Sequence, residues 1–198
     1  MARNRNARSK KQRVVKGNVK NSKNNISNIS NPSNPRTDSK LKFDFSFEGL
    51  YYSVKGANNK FNNYLANEHE FIEKFRQIRK VNAKLTGKQF DKVKHDANIH
   101  CHKLDEKEAN IARSCIGAAI SKYNTGFDVS TGINQLIGDE KLYQIGLNAG
   151  VRIIGTYNFA NGIFRAYLID YNHSLYPDER RNKHSKKELK FCPMNGIQ

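Results

Sequence analysis

Leu142-Tyr-Gln-Ile-Gly-Leu147, Val151-Arg-Ile-Ile-Gly-Thr-Tyr157 and Ile163-Phe-Arg-Ala-Tyr-Leu-Ile-Asp170 are the runs that decide the fold. Each is short and rich in β-branched and aromatic residues, the composition of a strand packed on neighbours. Asn148-Ala-Gly150 and Asn161-Gly162 supply turn chemistry between them, and Asn-Gly is a strong hairpin signal. The three runs therefore read as an antiparallel meander.

Working back toward the N-terminus, the period changes. Asn67 and Glu70 form a capping pair ahead of Phe71, Ile72, Phe75 and Ile78 at helical spacing. Thr86 and Gln89 pair in the same way before a short helix with Phe90 and Val93 inward. Asp105 and Glu108 open a third helix, whose apolar stripe from Ala109 to Ile120 includes Cys115 and reaches Tyr123. Leu41-Lys-Phe-Asp-Phe-Ser-Phe-Glu48 alternates, with Leu41, Phe43, Phe45 and Phe47 on one strand face. The order predicts an α+β fold: N-terminal strand, helices, then a C-terminal antiparallel three-strand meander. The helices are expected to cover one sheet face and leave the other free.

Charge divides the chain. Of 198 residues, the first forty hold eleven Lys or Arg against Asp38 alone, a large share of the net +17. The rest of that segment is mostly Asn and Ser, with little to bury, so residues 1–39 are expected to be a disordered basic tail. A single domain is expected over 40–177 and a basic extension over 178–198. A polycation of this kind suits a polyphosphate partner, since each neutralised phosphate releases counterions. Arg3, Arg5, Arg8, Lys10, Lys11 and Arg13 are the tail residues expected to contact nucleic acid. The plainer alternative is a solubilising tail. There is no apolar leader and no run long enough to span a membrane, and the three cysteines are odd in number. The reading is a cytoplasmic protein with free thiols, no membrane association and no cofactor.

If Asn161-Gly162 is a two-residue turn, Arg152 faces Tyr171, Ile154 faces Ile169, Thr156 faces Tyr167 and Asn158 faces Arg165. Two arginines and two tyrosines then share the less apolar face, a composition suited to phosphate contact and base stacking. His173 follows in Asp170-Tyr-Asn-His-Ser-Leu-Tyr-Pro177, beside Tyr176. Cleavage at a ribose phosphate needs a proton acceptor, a proton donor and cations for the developing charge. His173, Tyr176, Arg152 and Arg165 are the candidates for a metal-independent endoribonuclease. The competing reading makes Asn172-His-Ser174 a turn that caps backbone. His95, His100, Cys101 and His102 match no common zinc-finger spacing, so no metal site is assigned and a loop or helix join is expected there.

Tyr143 to Pro177 resembles a group of uncharacterised bacterial proteins in which a Gly-Arg-Val-x-Gly-Phe-like strand, an aromatic-rich strand and an Asp-x-x-His-x-Leu-Tyr-Pro ending occur together; here the strand is Gly150-Val-Arg-Ile-Ile-Gly-Thr156. The element order, with Gly150-Val-Arg-Ile-Ile154, is also similar to the RelE/ParE toxin superfamily. That resemblance implies a domain acting on ribosome-bound mRNA, with Arg152 on phosphate, His173 or Tyr176 in acid–base work, and an acidic antitoxin-like partner. Length, the tail and residues 97–140 depart from that family. Three functions stay open: an RNA-directed protein with possible endoribonuclease activity, a non-catalytic nucleic-acid or ribonucleoprotein module, and a mobile-element protein that binds a protein partner. RNA is favoured over DNA as the ligand.

Overall fold

The computed structural model describes residues 39–56, 61–126, 128–147, 150–176 and 189–195. The chain divides into two units, residues 1–33 and 34–198, and all described residues belong to the second. The tail cations Arg3, Arg5, Arg8, Lys10, Lys11 and Arg13 lie outside the described residues, as does the expectation of disorder there.

In chain order the elements are β1 (Lys42–Asp44), a 3-10 turn (Glu48–Tyr51), β2 (Lys55–Gly56), β3 (Phe61–Asn62), α1 (Glu68–Leu85), α2 (Phe90–His95), β4 (Ile99–Lys103), α3 (Glu106–Tyr123), α4 (Val129–Leu136), β5 (Leu142–Leu147), β6 (Arg152–Asn158) and β7 (Ile163–Asp170). The fold is α+β. A mixed five-stranded sheet has the order β1-β7-β6-β5-β4, with β1 parallel to β7 and the other pairs antiparallel. β2 and β3 form a separate two-stranded ribbon.

Local chemistry explains most boundaries. The Asn67 side chain accepts from the Glu70 N–H and opens α1, while the Glu70 carboxylate accepts from the Ala66 N–H. Asp105 caps α3 in the same way, and its buried stripe is Ala112, Cys115, Ile116, Ala119 and Ile120. Asp128 caps α4, a helix the spacing did not announce. Thr86 behaves differently from the expectation. It ends α1, its N–H bonded to the Asn82 carbonyl, and α2 starts after Gln89 with no side-chain cap. The expected strand after Leu41 stops at Asp44, because Asp44 Oδ1 accepts from the Ser46 N–H and turns the chain toward the 3-10 turn.

Two expectations about the sheet are corrected. First, β6 and β7 are joined by Phe159–Gly162, four residues rather than two. The Asn158 and Asn161 side chains each accept from the backbone N–H two residues on, which lengthens the turn. A register irregularity follows between Ile154 and Gly155, so Arg152 faces Asp170, and Thr156 faces Arg165. Second, the central strands β5 and β6 are covered on both faces. β6 is buried from Arg152 to Tyr157 through both phases of its alternation. Phe90 of α2 stacks on Tyr157 at 3.7 Å, whereas the Tyr167 hydroxyl donates to the Leu136 carbonyl of α4. Near-continuous apolar runs such as Val151-Arg-Ile-Ile are the mark of a strand covered on both sides.

Residues 189–195, assigned above to the C-terminal extension, pack on the domain. Phe191 and Leu65 exchange backbone hydrogen bonds of 2.9 and 3.0 Å, and Leu189 and Cys192 are buried. Among the described residues no helix is long and apolar enough to cross a membrane.

Candidate functional site

β7 ends on Asp170, and its buried carboxylate organises the chain that follows. Oδ1 accepts from the N–H groups of Asn172 and Ser174, and Oδ2 from that of Leu175, at 2.8–3.1 Å. The Asn172 amide then donates to the Asn62 and Tyr64 carbonyls, and the Ser174 hydroxyl donates to Asn62. Lys74 of α1 donates to the Tyr171 carbonyl at 2.9 Å. With its neighbours tied on both sides, His173 takes the left-handed backbone conformation, φ 53°.

The His173 ring turns inward, next to Arg152. Burial lowers its pKa first and the Arg152 guanidinium second, while Asp170 pulls the other way. Its Nε2 is buried and has no hydrogen-bond partner. Arg152 is only 5 % exposed. Its Nη1 donates to the Gly150 carbonyl at 2.9 Å and lies 2.7 Å from where a Cβ on Gly146 would sit, so glycine makes room for the guanidinium. Tyr176 sits farther round, its ring edge-on to His102 at 5.4 Å. His102 Nδ1 lies 3.0 Å from the Lys103 carbonyl and its Nε2 2.7 Å from the Gln144 amide nitrogen, a pairing that fits the tautomer protonated at Nδ1. Burial raises the pKa of the Tyr176 hydroxyl, reinforced by Asp105.

The structure thus brings Arg152 and His173 together and sets Tyr176 at the rim. Arg165 is not with them. Four strand positions separate the two cross-strand pairs, about 13 Å at strand rise, and Arg165 Nε instead donates to Asp44 Oδ2 at 2.9 Å, tying β7 to β1. Tyr167 and Tyr171 are core residues, each 1 % exposed, and offer no ring to a base. Their expected placement depended on the two-residue turn that the Asn158 and Asn161 side chains prevent. A proton-transfer group must come within about 3 Å of its substrate atom. Here the His173 Nε2 and the Arg152 guanidinium are enclosed, and the Asp170 carboxylate is taken up by backbone donors.

His100, Cys101 and His102 lie on β4, where a loop or helix join was expected. His95 ends α2 and bonds Asp91 through Nδ1, while Cys101 is buried and its thiol is pushed up to about 12 by desolvation. No group of three or more His, Cys, Asp or Glu able to hold a metal occurs among the described residues.

A second site escaped the sequence reading. Lys40, Lys88 and Lys92 line an open cleft of about 490 Å³, with Gly87, Gln89 and Asp96. Leu41 N–H bonds the Lys88 carbonyl and Gly87 N–H bonds the Leu41 carbonyl, at 2.8 Å each, which fixes Lys40 beside the α1–α2 connection. None of the three lysines takes part in the ion pairs of the described residues. The Lys88/Lys92 spacing was a legible signal; the approach of Lys40 was not.

A family model described as uncharacterised protein UU032 matches residues 46–198. The chain belongs to the UU032 family. The matched region holds the Asp170–Tyr176 block, Lys88 and Lys92, while Lys40 and the basic first forty residues precede it. No curated protein and no solved structure gives a significant match.

Proposed function

We propose that this chain binds nucleic acid, RNA in particular, through its phosphates and without cleaving it. The observation that carries the reading is the cleft of Lys40, Lys88 and Lys92, three cations outside the described ion pairs. Bound phosphate displaces counterions there, a gain available to any polynucleotide sequence. Lys40 follows directly on a segment rich in Lys and Arg, so the chemistry of cleft and segment is the same. The enclosed His173 nitrogen supports binding over catalysis. The three cysteines are free thiols, which suits a reducing compartment such as the cytoplasm.

The test is fluorescence anisotropy with labelled single-stranded RNA, single-stranded DNA and duplex RNA across a salt series. Replacing Lys40, Lys88 and Lys92 together by Ala is expected to weaken RNA binding and to flatten the slope of log K against log salt by about 2. Affinity that ignores salt, or an unchanged slope in the variant, removes the reading. Full-length RNA should survive incubation with the wild-type chain; cleavage lost in His173→Ala would restore the endoribonuclease alternative.

A further inference from the structure

Beside the loop that joins β6 and β7 lies a pocket of about 390 Å³ with the opposite chemistry. Its walls are aromatic: Tyr143, Tyr157 and Phe159. Phe159 is 42 % exposed, unusual for so large an apolar side chain. It is also held in place, edge-on to Tyr157 at 4.8 Å, and Tyr157 is in turn stacked on Phe90 at 3.7 Å. Asp139 and Glu140 line the same pocket, and neither takes part in the ion pairs of the described residues. Arg113 fixes the loop that carries them, donating to the Gly138 and Glu140 carbonyls at 2.8 and 3.0 Å. Burial raises the pKa of the Tyr157 hydroxyl, and Asp91, itself paired with Lys94 outside the pocket, adds to it. Among the described residues, Lys141 is the one cation in the lining.

In a chain of net charge +17, carboxylates gathered around an exposed aromatic shelf select for positive charge. A phosphate would meet like charge there. We propose that this pocket binds an arginine side chain of a basic partner peptide, the guanidinium stacking on Phe159 and forking to Asp139 or Glu140. Arginine fits better than lysine because its planar cation stacks on a ring face and reaches a carboxylate with two N–H groups at once. The proposal does not depend on the lysine cleft, which has the reverse charge.

The full-length chain is titrated with acetyl-Ala-Arg-Ala-amide while the Phe159 and Tyr157 ring signals are followed by NMR. Saturable shifts are expected, with affinity about tenfold lower for the citrulline peptide, which keeps the shape and loses the charge. Phe159→Ala, and Asp139→Asn with Glu140→Gln, should each remove the response while circular dichroism stays that of the wild type. Equal response to citrulline, no response to arginine, or saturation by cytidine or guanosine in place of the peptide overturns the assignment.

Discussion

Asp170 shows how one carboxylate can determine a loop. Three backbone donors, those of Asn172, Ser174 and Leu175, depend on it in a buried setting. Asp170→Ala leaves all three without partners, and a loss of about 3 kcal/mol is expected in urea denaturation. His173 gives a second prediction at this scale. Its pKa is held below the ordinary 6.5 by burial and by Arg152, so the folded chain favours the neutral ring. A depressed histidine pKa contributes stability that is complete above 6.5 and is lost as pH falls through the folded value. Unfolding free energy should therefore drop as pH falls below 6.5, and drop less in His173→Asn, since Asn accepts the left-handed backbone. Parallel pH profiles for the two proteins would count against this account. The Asp-x-x-His block was legible as a unit in the sequence. That its histidine faces inward was not, because the direction depends on Asn62, Tyr64 and Lys74, residues about a hundred positions away.

Among the elements, the helices were the more readable because their signals are local. Asp105 and Glu108 mark the start of α3, and Asp105→Ala is expected to cost about 1 kcal/mol in thermal or chemical unfolding. The strands were readable in position but not in register. Gly155, at the register irregularity, shows why: a Cβ there would lie 2.0 Å from the Arg165 carbonyl oxygen. Gly155→Ala must shift backbone, so a loss of about 3 kcal/mol or a failure to accumulate folded protein is expected. An unperturbed G155A variant would mean that β6 and β7 pair differently. β4 went unseen because Ile99-His-Cys-His-Lys103 buries only Ile99 and Cys101, too little apolar pattern to stand out at a sheet edge.

For the whole molecule, the late return of residues 189–195 is the least local feature. Leu189 and Cys192 are buried, Phe191 pairs with Leu65, and Cys192 Sγ accepts from the Ser53 N–H. Removing residues 189–198 exposes this patch; a loss of about 3 kcal/mol, or roughly 6–12 °C in Tm, is expected from a thermal melt. An unchanged Tm would show that the segment contributes nothing to the fold. The sequence by itself determined the α+β class, the positions of β5 to β7, the caps of α1 and α3 and the excess of positive charge, because periodicity, capping and charge act over a few residues. Tertiary structure alone decided that both faces of β5 and β6 are covered, that Tyr167 and Tyr171 are interior, that Arg165 belongs to Asp44, and that Lys40 meets Lys88 and Lys92. Those outcomes depend on pairings between distant segments, where a one-residue change in register reverses the face a side chain occupies.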